Sequence, residues 1–211
     1  MSRPWQCAVC ARGEFPEPRW SPGPLKELDA GSIVDLLDEL HTRLLDRRAR
    51  VSLYVVGGSA LLLAHGRDLA TPDVDIARSV AAADEAAREI AIERGLAMSW
   101  LNSAAAPWVP PSPECTQMPP SHDGLTVHLA PPRHLLAMKL VAWRPKDEDD
   151  LVDLLEVCEL TDASAEDVAD ILYEVYTVED SLPGLLAVPR SHPEETRREA
   201  VARAWAALDL L

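Results

Sequence analysis

Apolar positions along this chain change spacing several times, and each change marks an element. Ile33, Leu36, Leu37, Leu40, Leu44 and Leu45 recur at helical intervals after Gly31-Ser32, which predicts an amphipathic helix from about Ser32 to Arg48. Leu53 to Val56 is apolar and partly β-branched, reads as a short buried strand, and runs into Gly57-Gly58, with Ser59 opening a helix. Ala81 to Arg94 is alanine-rich with interleaved Glu and Arg, a surface helix ending at Gly95. Leu125 to Leu129 alternates as a strand, and Pro131-Pro132 starts a helix through Leu135, Leu136, Lys139, Leu140 and Trp143. Pro145 interrupts that pattern. A helix resumes from Asp147 to Glu159 on Leu151, Leu154, Leu155 and Cys158, and two more follow, Ala165 to Tyr176 and Glu194 to Leu210. Asp162 and Ser164 are candidate caps for the first of these, and Pro193 sits at the entry of the second.

Two segments resist regular structure. Met1 to Lys26 holds Pro4, Pro16, Pro18, Pro22 and Pro24 and reads as an extended arm; Asn102 to Asp123 holds six prolines and reads as a long loop near a site. Strands confined to the first two-thirds, then helices alone, argue an α+β fold, or α/β with a small mixed sheet. The expected organisation is a Pro-rich arm (1–30), a sheet-bearing core (31–130) and a helical C-terminal lobe (131–211).

Composition narrows the setting. The chain's 211 residues suit one compact core, and no apolar run approaches the ~18 residues needed to span a membrane. Its start lacks the apolar stretch of a secretory leader, so the expected address is cytoplasmic, with no membrane partner. A formal charge of −15 argues against broad binding to nucleic acid, which relies on neutralising phosphates. A local patch stays open: Arg43, Arg47, Arg48 and Arg50 cluster at the end of the first helix, where they also suit the helix dipole. Cys7 and Cys10 have the spacing of half a zinc knuckle, and no second pair follows at finger spacing.

The chemistry concentrates in Val55-Val56-Gly57-Gly58-Ser59-Ala60, followed 14 residues after Ser59 by Asp73-Val74-Asp75. The glycines permit a sharp turn and close approach of a ligand, and the helix after them aims free N–H groups and a positive dipole end at an anion. On a strand, Asp73 and Asp75 project from one face. Two carboxylates on one side repel, and a hard divalent cation relieves that repulsion while bridging to phosphates.

Glycine-glycine-serine after an apolar strand, then Asp-x-Asp on the next, resembles the nucleotidyltransferase superfamily typified by DNA polymerase beta. Trp100-Leu101-Asn102, Leu135 to Arg144 and Lys146 to Leu151 are similar to a bacterial branch of it, the toxin nucleotidyltransferases of toxin–antitoxin and abortive-infection systems, the MenT and AbiEii types. The likeness runs from about Ser32 to Leu160. It implies a small mixed sheet flanked by helices, an NTP held through Gly57, Gly58 and Ser59, Mg2+ (or Mn2+) on Asp73 and Asp75, and transfer of a nucleoside monophosphate with release of pyrophosphate. The acceptor it implies is a tRNA 3′ end or a protein, with a cognate antitoxin as a further partner. Lys139 and Arg144 would contact phosphate, and Asp147 or Asp150 would orient the lysine or position the acceptor.

The chain departs from that pattern twice. Ala70 stands before Thr71 where an arginine is common, with only Arg67 near, and His128 stands on the later strand where many relatives place a third carboxylate. Asp147 or Asp150 would then take its place, or the protein is a non-catalytic module of the same fold that binds a nucleotide or a protein partner.

Overall fold

The computed structural model describes residues 27–65, 70–111, 118–177 and 181–211. Most of the proline-rich arm, with Cys7 and Cys10, lies outside these residues, as do Arg67 and Cys115.

The first helix, α1 (Ala30–Asp46), begins two residues before the expected Ser32. Asp29 is the reason: its carboxylate accepts the Ser32 N–H at 2.7 Å, capping a donor that the helix leaves unpaired. Ile33, Leu36, Leu37, Leu40 and Leu44 are all buried, each worth roughly 1.5–3 kcal/mol relative to exposure. Strand β1 (Arg50–Val56) starts three residues before the expected Leu53, and α2 (Gly57–His65) opens at Gly57 itself and not at Ser59. Then come β2 (Val74–Ile76) and α3 (Ala81–Arg94), which ends as expected on a left-handed Gly95.

Among the described residues of the expected loop 102–123, a 3-10 turn spans Ala106–Trp108, and just before it lies a two-residue strand, β3 (Leu101–Asn102), that the pattern did not reveal; residues 112–117 of that loop lie outside the described residues. Strand β4 (Gly124–Leu129) precedes α4 (Pro132–Ala142), and Pro145 does break the helix, through a 3-10 turn at Pro145–Asp147 leading into α5 (Glu148–Val157). Helices α6 (Ala165–Val175), α7 (Ser181–Leu185) and α8 (Pro193–Leu208) complete the described chain. Ser164, and not Asp162, caps α6 in a reciprocal box with Asp167. The short α7 contains Pro183 and Gly184 and carried no periodic signal.

The architecture is α+β. Four strands form one mixed sheet in the order β3-β2-β1-β4, with β1 parallel to β4, antiparallel to β2, and β2 parallel to β3. Helix α1 packs on β1, β4 and α3; α4 packs on α5 and α6, and α6 on α8. Buried side chains from Leu28 to Ala207 make one continuous core. Among the described residues no helix is long and apolar enough to cross a membrane.

Gly124 is a close-packed corner of this frame. Its φ is +80°, and a Cβ there would sit 2.8 Å from two atoms of the His41 ring, whose Nδ1 accepts the Leu125 N–H. Gly95 is also left-handed, at φ +64°, but a Cβ there would meet nothing within 4 Å. Gly95→Ala should therefore cost about 1–2 kcal/mol of conformational strain, and Gly124→Ala about 2–5 kcal/mol, because overpacking adds to strain. Urea denaturation of the two variants decides the point, and equal losses would show that the His41 contact does not matter.

Candidate functional site

The sheet register places the sequence-predicted carboxylates. Asp75 lies opposite Val56 on β1 and opposite Asn102 on β3, and Asp73 immediately precedes β2, two residues back on the same face. The Asn102 side chain donates to Asp73 Oδ2 at 2.9 Å and fixes that carboxylate. Tyr54 and His128, paired across β1 and β4, occupy the same face by the same alternation.

Asp75 is the strained member. Burial, and then the neighbouring Asp73 charge, push its carboxyl from 3.8 up to about 6, against the opposing pull of Arg144, Lys146 and Lys139. Such a pair of oxygen donors fits a hard divalent cation, which would complete its coordination with water and phosphate oxygens. Among the described residues no group of three His, Cys, Asp or Glu converges on a metal-sized site.

The turn after β1 wraps closely around Asp75. Gly57 has φ +67°, and a Cβ on it would stand 3.0 Å from Asp75 Oδ2, so only glycine lets the main chain pass this carboxylate without crowding it. A Cβ on Gly58 would reach 3.5 Å from Thr71 Oγ1. Ser59 is buried and its hydroxyl donates to the Val56 carbonyl at 3.0 Å, tying the turn back onto β1. What Gly57, Gly58 and Ser59 offer an anion is the first N–H groups of α2, which lack intrahelical acceptors.

The cations come from the other half of the chain. Lys139 on α4 is 6% exposed, and its ammonium donates to Asp147 Oδ1 at 2.7 Å and to Asp150 Oδ2 at 2.5 Å. Burial draws its pKa below the lysine range, and Asp147 opposes that shift. Arg144 grips the same Asp147 with two nitrogens, Nε to Oδ2 at 2.6 Å and Nη2 to Oδ1 at 3.2 Å. Burial alone would raise the Asp147 carboxyl, but hydrogen bonds from Arg144 and Lys139 outweigh it and hold the group below the usual carboxylate range. Gly57, Asp75, Lys139 and Arg144 then line one cleft with Ala105, Trp108, Leu135, Met138 and Ala142.

A wider groove, about 520 Å3, opens at the other end of α4 among His134, Val157, Cys158 and Glu174. It holds none of these ionisable partners, so size alone does not locate the chemistry.

Two contributors were given no role at the site by the sequence, although Asn102 lies in a stretch that carries the likeness. Asn102 takes its part only because β3 pairs with β2, and Trp108 reaches the cleft on a single turn inside the proline-rich segment. The arginine cluster of α1 resolves differently: Arg43 pairs with Glu39, Glu89 and Glu93, Arg47 with Glu89, and Arg50 with Asp123. No family model, curated protein or solved structure matches the chain.

Two stability experiments test this geometry. The folded protein binds the Asp75 proton more tightly than the unfolded chain does, so the penalty of its charge is full above about pH 6 and fades toward pH 4. In EDTA, Asp75→Asn should raise stability at pH 8 by up to about 3 kcal/mol, with the gain vanishing near pH 4; no gain at pH 8 would remove the strain. Asp147→Ala, which removes the more buried of the two carboxylates on Lys139 and the partner of Arg144, should cost about 3–5 kcal/mol, and Asp150→Ala clearly less, since Asp150 is the more exposed partner. Denaturation curves giving equal losses would mean that Asp147 does not dominate the pair.

Proposed function

We propose that the protein is a Mg-dependent nucleotidyltransferase that moves a nucleoside monophosphate from an NTP to a macromolecular acceptor, a tRNA 3′ end or a protein. The observation that carries this reading is that Asp73 and Asp75 share a sheet face beside the Gly57 turn, with Lys139 and Arg144 reaching the same cleft from α4 and the turn after it. These are the groups that in-line phosphoryl transfer asks for, since its barrier falls mainly through positioning and neutralisation of charge.

Asp73 and Asp75 would hold Mg2+, which would supply Lewis-acid neutralisation of phosphate oxygens. Asn102 holds the Asp73 carboxylate in place for that task. The N-terminal turn of α2 binds the anionic tail through main-chain N–H groups. Lys139 contributes positive charge from a buried position, and Asp147 and Asp150 keep it oriented. Arg144, partly exposed and held by Asp147, is the cation at the cleft's open side that would meet a phosphate. In a toxin–antitoxin setting a cognate partner would hold this activity in check.

A second reading has one observation in its favour. Strand β4 offers His128, and no carboxylate, on the face that carries Asp75, and the His128 Nε2 is buried without a partner among the described residues. On that reading the protein is a nucleotide- or partner-binding module without chemistry.

Incubating the purified chain with each α-labelled NTP, Mg2+ and total tRNA or cell extract separates the two. Label on a macromolecule should appear with the native chain and disappear with Asp73→Ala, a loss of at least about a hundredfold, while circular dichroism stays unchanged. Label that persists in Asp73→Ala refutes the metal role, and NTP binding without any labelling supports the module.

A further inference from the structure

We propose that Trp108 is the surface on which the site holds the nucleobase, and that Arg144 occupies this surface until a nucleotide arrives. The inference rests on the nucleotide reading above and names the residue that would recognise the base.

The cleft beside Asp75 has two unlike walls. Gly57, Asp75, Lys139 and Arg144 are polar and suit phosphates and a cation; Ala105, Trp108, Leu135, Met138 and Ala142 are apolar and suit a flat ring. Its volume is only about 20 Å3, room for little more than a water molecule. A nucleotide therefore enters only if part of the lining moves.

Most of that lining is fixed. Gly57, Ala105 and Ala142 have no side chain to rotate; Leu135, Met138 and Lys139 are buried; Asp75 sits on the central sheet. What remains is Trp108 and Arg144, both partly exposed, with the guanidinium carbon 5.6 Å from the indole centre. This cation–π contact is the side of the cleft that can open.

Trp108 is anchored through its main chain. Its main-chain carbonyl accepts the Tyr176 hydroxyl at 2.5 Å, and its main-chain N–H closes the turn onto Ala105, so the backbone that carries the indole is fixed against the residue that ends α6. Arg144 is held by its Nε and Nη2 on Asp147, and a triphosphate competes for its guanidinium with charge-assisted contacts that an aromatic face does not offer. On binding, the guanidinium moves to the phosphates and the vacated indole stacks the base. Stacking on an aromatic face is tolerant of base identity, so Trp108 contributes affinity for any nucleobase and selects nucleotides over bare polyphosphate.

Binding measurements with Mg2+ test this, using ATP, GTP, CTP, UTP and inorganic tripolyphosphate on the native chain, Trp108→Leu and Trp108→Phe. Leucine keeps apolar bulk without an aromatic face, and phenylalanine keeps a smaller face. Trp108→Leu should weaken NTP binding at least about fivefold and leave tripolyphosphate as tight or tighter, while Trp108→Phe recovers most of the NTP affinity. The fluorescence change on NTP binding should also fall away in Trp108→Phe. Equal weakening of NTP and tripolyphosphate in Trp108→Leu, or no change in either, overturns the role of Trp108 and leaves the nucleotide reading standing. A native chain that binds neither ligand overturns the nucleotide reading, and this inference with it.

Discussion

Asp147 is almost wholly buried and accepts hydrogen bonds from two cations that come from different pieces of chain, Lys139 from α4 and Arg144 from the turn after it. Much of the site follows from this arrangement. A lysine cannot remain charged in the interior without a partner, because desolvation costs several kcal/mol. Pro145 ends α4's run, the 3-10 turn brings Asp147 back beneath Lys139, and Asp150 one helical turn further on supplies the second oxygen. The helical half of the molecule thereby delivers two positive groups to the edge of a sheet whose own contribution is negative.

That opposition of charge explains why Asp75 tolerates its place. Burial and Asp73 both disfavour its charge, and Arg144, Lys146 and Lys139 offset only part of the cost. Carboxylates with raised pKa values, lodged in a cleft beside specific charge partners, concentrate where binding or chemistry uses the strain. The glycine at 57 belongs to the same balance, since any side chain there would press on the Asp75 oxygen.

Arg43 and Arg47, at the end of α1, are spoken for within the fold. The arginines of α1 are engaged by Glu39, Glu89 and Glu93, and exposed ion pairs of this kind add little stability while removing the cations from the free surface. Against a net charge of −15, the cations that act on Asp75 are Arg144, Lys146 and Lys139.

Helical spacing, glycine and proline punctuation and the Asp-x-Asp pair were legible along the chain because they are local: α3 ends at Gly95, α4 follows Pro131, and β1 runs into Gly57 as the pattern implies. Boundaries slipped where a side chain made the decision, as when Asp29 capped α1 two residues early. The sequence alone pointed to α+β, with α/β left open, and to Gly57, Gly58 and Ser59 on a strand-turn-helix with Asp73 and Asp75 on the strand after it. It did not reveal β3, the bond from Asn102 to Asp73, or the seat of Trp108 beside Arg144. Those depend on strand pairing and on helix packing between residues dozens of positions apart. Side chains so distant in the chain have no shared periodicity, so only the closed tertiary structure determines which of them touch.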